Sequence, residues 1–226
     1  MKTFKDVQIA TTLDELLDPR RAALVVYDMQ VGVCRQIRDS AAVIDGVGQV
    51  LAAARRAGMR VIFTRHMSLP KELMGAMALR TAMAWQRQDA PEAVTPWFLR
   101  DSEAFRLVPE LVPRASELVL DKITMSAFEG TPLSIILRDC AVSSVVFAGV
   151  ALEIGIEPSV RHAADLGFTP VVIADACGWG DQAAADRSLA AMRFTGDAVI
   201  TDIGSFGGCL ALARSATTAP STPPPA

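Results

Sequence analysis

The 226-residue chain is poor in the groups from which metal and nucleic-acid sites are built. Histidine occurs only at His66 and His162, which leaves no His-rich metal site. The four cysteines, Cys34, Cys140, Cys177 and Cys209, are far apart and match neither a CxxC pattern nor a disulfide framework. They read as small buried hydrophobes. No basic cluster or long run of like charge occurs, and the net charge is −3 with a pI near 5.4. That balance gives no electrostatic footprint for nucleic acid or an acidic membrane surface. No apolar run reaches the ~18 residues that span a bilayer. The opening MKTFKDVQIATTLDELLD is polar and lacks the apolar stretch of a signal peptide. The expectation is a cytoplasmic protein whose partner is a small molecule, with no nucleic acid and no membrane.

What is present is apolar sequence in a regular order. Hydrophobic residues make up 51% of the chain, ample for one large core, and the length suits one α/β domain over residues 1–214. AALVVYD (22–28) is a nearly continuous run of β-formers, as in a central parallel strand buried on both faces. Further strands are expected at 59–65, 117–122, 143–149, 169–176 and 197–201. Helical spacing marks 40–57, 132–140, 153–166, 181–192 and 206–214, with Gly58 and Gly167 as stops. The alternation predicts a six-stranded, mainly parallel, doubly wound sheet with helices on both faces. Residues 66–116 break the pattern with methionines, tryptophans, prolines and charges, as a pocket-covering insertion or a subunit contact would. The tail 215–226, rich in Pro, Ser, Thr and Ala, is expected to be disordered.

In open parallel sheets, ligands bind beyond the C-terminal strand ends. Those ends carry Asp28, then Arg65 and His66, then Lys122, then the loop with Glu153 and Gly155, then Asp175. An acid and a lysine from neighbouring strands form an ion pair, set each other's pKa and hold a carbonyl or oxyanion. The helix start near 155 adds backbone N–H donors. Asp175 reads more simply as a cap for the next turn.

ALVVYDMQVGV (23–33), VIFTRH (61–66), LVLDKITMSAFEGTPL (118–133) and VFAGVALEIGIEPSVRHAADLGFTPVVIADAC (146–177) together resemble the isochorismatase-like hydrolases, also called cysteine hydrolases. The resemblance covers most of residues 20–205 and implies a three-layer α/β/α fold. It also implies that Asp28 is a general acid/base with Lys122 as its partner. The family's third member is a cysteine in the first turn of the helix after the fourth strand. Laid over GVALEIGI, that position falls on Gly155, and the usual threonine falls on Leu152. The nucleophile is absent.

The resemblance further implies a cis peptide at Ala151–Leu152, with the N–H groups of Leu152 and Gly155 as oxyanion donors. The isochorismatase branch similarly carries glycine at the cysteine position, because vinyl ether cleavage needs acid catalysis and no thiol. Two reactions are therefore expected of Asp28 and Lys122: vinyl ether cleavage, or water-mediated hydrolysis of an amide or ester. A catalytically silent binding or scaffold subunit is the alternative. Arg65, His66 and Arg100 are candidate partners for substrate carboxylates. Glu153 either activates water or favours the helix N-terminus. Cys34, near the same cleft mouth, is a weak candidate for a relocated thiol. Metal binding as in nicotinamidases is not expected, since only His66 lies beyond the second strand; no cofactor is expected either. A homodimer or higher homo-oligomer is.

Overall fold

The computed structural model describes residues 1–217. The chain opens with an exposed antiparallel hairpin, β1 (Lys2–Phe4) and β2 (Val7–Ile9), followed by the short α1 (Leu13–Leu16). The main sheet then begins with β3 (Ala22–Tyr27), which leads to α2 (Val31–Cys34), α3 (Ser40–Ala57) and β4 (Arg60–His66). Next come α4 (Ala76–Gln86), β5 (Leu118–Lys122), α5 (Leu133–Asp139) and β6 (Ser144–Gly149). A π-turn over Leu152–Ile156 runs into α6 (Glu157–Asp165), and β7 (Thr169–Cys177), α7 (Gln182–Thr195), β8 (Val199–Thr201) and α8 (Ile203–Thr217) complete the order.

The six strands lie in the order β5-β4-β3-β6-β7-β8, and every neighbouring pair is parallel. β3 is buried at all six positions, as its unbroken apolar run requires. Side chains alternate across the sheet. Leu24 and Val26 face a core shared with Val47, Val50 and Leu51 of α3 and Phe206 of α8. Val25 and Tyr27 face the opposite core, with Leu133 of α5, Val160 of α6 and Met192 of α7. Helices therefore cover both faces, as the sequence predicts.

From β3 the chain winds outward to β4 and β5, then returns to place β6 on the other side of β3. That reversal opens a crevice between the C-terminal ends of β3 and β6, the place where such sheets bind ligands. The strands approach very closely there. Gly149 has φ +132°, and a Cβ on it would lie 2.2 Å from the Tyr27 carbonyl oxygen, so only glycine fits.

Several boundaries differ from the sequence reading. The final helix begins at Ile203 rather than 206, because Asp202 Oδ1 caps it by accepting the Ser205 N–H at 2.8 Å, with Asp175 Oδ1 accepting the Ile203 N–H at 2.9 Å. The sixth strand shortens to Val199–Thr201. α8 continues through Thr217, three residues into the expected disordered tail; 218–226 lie outside the described residues. No helix among the described residues is long and apolar enough to cross a membrane.

Candidate active site

Asp28 follows β3 with φ +46°, a left-handed conformation that aspartate adopts more readily than most residues. The residue is nearly closed off, at 5% exposure. Oδ2 accepts from Lys122 Nζ at 2.7 Å, and Oδ1 accepts from the Thr64 hydroxyl at 2.6 Å. Thr64 Oγ1 in turn accepts the Asp28 N–H at 3.2 Å. Lys122 Nζ also donates to the Thr124 carbonyl at 3.1 Å and sits 4.4 Å from the centroid of the Tyr27 ring. Burial holds the Lys122 pKa below the ordinary lysine value, although the charge of Asp28 and its hydrogen bond pull the other way. Asp28 and Lys122 thus meet in the crevice, on strands two places apart.

The peptide before Ala151 is cis, so the cis bond is Val150–Ala151 and not Ala151–Leu152, one residue earlier than the resemblance implies. The expected oxyanion donors also need correcting. The Leu152 N–H donates to the Gly178 carbonyl at 2.9 Å and the Gly155 N–H to the Ala151 carbonyl at 3.0 Å. Both are consumed in holding the loop and the π-turn. Ala151 lines the crevice, and its N–H finds no acceptor among the described residues.

Gly155 is more than a position without a thiol. A Cβ built there would lie 2.3 Å from the Tyr27 Oη and 2.5 Å from its Cε1. The chain's single tyrosine fills the space into which a side chain at 155 would project. Tyr27 is 1% exposed and its hydroxyl donates to the Met125 carbonyl. Burial, followed by the charge of Asp28, raises its pKa well above the ordinary value, so it is a neutral phenol at physiological pH.

The remaining candidates divide. His66 ends β4, where Gln30 fixes its backbone by accepting the His66 N–H at 2.6 Å and donating to its carbonyl at 3.0 Å. Its ring faces the crevice, with Nδ1 buried and unpartnered. Burial, then the Lys122 charge, lower its pKa below the usual 6.5, leaving a neutral imidazole. Arg65, one residue earlier, faces away. It ion-pairs with Asp121 at 2.7 Å and lies 4.3 Å over the Phe105 ring. Arg100 joins the same carboxylate at 2.8 Å. Neither arginine lines the crevice: the strand period turns Arg65 away from it, and Arg100, in the loop before β5, pairs with the same outward-facing Asp121, so neither is placed to hold substrate carboxylates.

Glu153 Oε1 accepts the Gly180 and Asp181 N–H groups at 2.8 and 2.9 Å. Its carboxylate ties the π-turn to the start of α7. Cys34 is 4% exposed within the α3-side core, where burial and then Glu110 push its thiol up to about 12. Cys177 is likewise buried and pushed up to about 12. Neither supplies thiolate at neutral pH. Sequence reading missed Thr64, Gln30 and Tyr27. A lone hydroxyl inside the apolar VIFTRH strand was the available signal for Thr64.

The crevice holds a cavity of about 460 Å³ lined by Tyr27, Asp28, His66, Trp85, Trp97, Phe98, Ala151 and Gly155, among others. The 66–116 segment supplies its aromatic wall. Among the described residues no three His, Cys, Asp or Glu side chains converge as metal ligands.

The model of the isochorismatase domain matches residues 22–203, from the start of β3 to the start of α8. The chain belongs to the isochorismatase family. Its relatives include the ureidoacrylate amidohydrolase RutB of Serratia proteamaculans, 28% identical over 88% of this chain and 86% of that protein. RutB of Pantoea ananatis is 30% identical over 70% of this chain and 69% of its own length. Among solved structures, a cysteine hydrolase from Pseudomonas syringae pv. phaseolicola aligns with a TM-score of 0.73 at 21% identity, over 86% of this chain and 94% of that one. The N-carbamoylsarcosine amidase of Thermoplasma acidophilum aligns with a TM-score of 0.64 at 22% identity, over 81% and 96%. At those identities the structures support the fold. The family is hydrolytic, its named relatives are amidohydrolases, and this member is a hydrolase.

Proposed function

We propose that this hydrolase works without a cysteine nucleophile, by water attack on the amide or ester bond of an uncharged small molecule, with Asp28 as general base and then general acid. The observation that carries this reading is the pairing of Gly155 with Tyr27. The nucleophile's place is filled by a neutral phenol ring, while the buried Asp28–Lys122 pair beside it is intact. A buried ion pair is costly to desolvate, and a silent scaffold has no use for one.

Asp28 takes a proton from water as the water oxygen bonds to the carbonyl carbon and the C=O pair moves onto oxygen. The Ala151 N–H receives that oxyanion. Asp28 returns the proton to the leaving nitrogen or oxygen as its bond to carbon breaks. Lys122 acts through Asp28, donating to its carboxylate and orienting it. Vinyl ether cleavage of a dicarboxylate is the weaker reading, because Arg65 and Arg100 are committed to Asp121 and Arg87, the one Lys or Arg lining the cavity among the described residues, is a single cation for two carboxylates.

We place the protein in the cytoplasm as a homo-oligomer. The isolated β1–β2 hairpin exposes Phe4, Val7 and Ile9, and a two-stranded hairpin is marginal without a surface to pack on.

The test is ammonia or acid release from a panel of uncharged amides and esters, with Asp28→Asn in parallel and pyruvate release from isochorismate as the competitor. Release that depends on Asp28 is expected from the panel. Pyruvate release alone would overturn the choice of substrate class.

A further inference from the structure

We infer that the substrate carries a bulky apolar arm, aryl or branched alkyl, held in a second chamber beside the reacting bond; which end is cut rests on the hydrolase reading above. Beyond His66 lies a cavity of about 410 Å³ walled by Met67, Met74, Met77, Trp85, Trp97 and Ile123. It shares His66, Trp85, Trp97, Phe98 and Met125 with the reaction cavity, so one molecule can occupy both. A volume of this size is that of a small-molecule site.

Its chemistry is one-sided. Not one Asp, Glu, Lys or Arg side chain lines it among the described residues. A carboxylate or ammonium entering it would lose hydration without gaining a partner of opposite charge. An aryl ring would gain contact with two indoles and several thioethers. Arg87, an exposed guanidinium at the C-terminal end of α4, lines the reaction cavity and not this one.

The other polar side chains on the chamber wall, Ser68, Thr81, Gln86, Thr95 and Thr124, carry no charge, and the polar residue it shares with the reaction cavity is His66. It stands in the shared wall, set edge-on to Phe98 with 6.0 Å between ring centroids, and its buried Nδ1 has no protein partner. Because His66 lines both cavities, it marks where the polar, hydrolysable end of the substrate joins the apolar arm.

The experiment uses wild-type protein and ketones, which mimic the carbonyl but have no bond to hydrolyse, with binding read by calorimetry and tryptophan fluorescence. Three probes suffice: 2-butanone, 4-phenyl-2-butanone and 4-(4-carboxyphenyl)-2-butanone. The phenyl arm is expected to tighten binding roughly 30-fold, as burial of one aromatic ring implies, and the carboxylate to abolish that gain. Ala82, on the chamber wall, supplies two variants. Ala82→Trp should fill the chamber and cut the phenyl advantage by about tenfold. Ala82→Lys should bring in a cation and reverse the preference toward the carboxylate arm, a gain that misfolding cannot produce.

Equal binding of butanone and phenylbutanone would overturn the assignment, as would an unchanged phenyl advantage in Ala82→Trp. The two readings fail separately. If the ketones rank as expected while no amide or ester is cut, the hydrolase mechanism falls and the chamber stands. If amides are cut at rates indifferent to the arm and the ketones bind alike, the chamber falls alone.

Discussion

Asp121 and Lys122 are adjacent on β5, yet they build two very different ion pairs. Lys122 points into the crevice and meets Asp28 with side-chain exposures of 0% and 7%. Asp121 points the other way and binds Arg65 and Arg100, whose side chains are 27% and 60% exposed. The period of two along a strand decides the matter. In the parallel register Arg65 stands opposite Asp121 and His66 opposite Lys122. So of two neighbouring candidates at the end of β4, the histidine enters the site and the arginine does not. The inner pair is dry and held by extra hydrogen bonds, and in the proposed mechanism it moves a proton. The outer cluster is wet and structural.

The sharpest way to break this contrast is to remove the inner cation. Lys122→Met should leave the Asp28 carboxylate buried without its partner, destabilise the fold by about 3–5 kcal/mol in urea unfolding, and abolish turnover. Gly155→Cys comes next. It puts a thiol at the position the resemblance gives to the nucleophile but drives it into Tyr27, and should cost about 1–3 kcal/mol without raising activity. Adding Tyr27→Ile should recover much of that loss, which a double-mutant cycle reads as strong coupling. Additive costs would show that Tyr27 does not own the space.

The pH profile sharpens the comparison further. The charged form of Lys122 is the one its role requires, and burial lowers its pKa. The lysine therefore loses its proton, and the enzyme its activity, at a pH below the ordinary lysine value of 10.5. An alkaline limb at or above 10.5 would contradict the burial argument. The smallest effects belong to the outer cluster. Arg65→Ala should cost at most about 1 kcal/mol and Arg100→Ala less, both with wild-type turnover, as measured by thermal unfolding and product release.

Much of this was legible in the sequence, and the exceptions share causes. The six strands announced themselves as apolar runs, and Asp28 and Lys122 as charges at their ends. The β1–β2 hairpin did not, because all six of its residues are exposed and leave no alternation to read. α4 buries none of its residues, so its spacing carried no face. Tyr27 hid in plain sight as the last residue of a strand. Its meaning depends on Gly155, over a hundred residues away, and only the β3–β6 pairing brings them together. The Leu152 and Gly155 N–H groups were misassigned for a related reason. Which backbone donors a loop consumes internally depends on its fold, here the Gly178 carbonyl and the π-turn, and no residue pattern records it.

The most direct measurement is ammonia release from an arylalkyl amide such as 3-phenylpropionamide by a variant with Cys34, Cys140, Cys177 and Cys209 all replaced by alanine, assayed below its melting temperature beside Asp28→Asn. The account predicts that the cysteine-free enzyme keeps its activity within about threefold, while Asp28→Asn loses at least about a hundredfold. Loss of activity in the folded cysteine-free enzyme, or its survival in Asp28→Asn, would contradict thiol-free catalysis by Asp28.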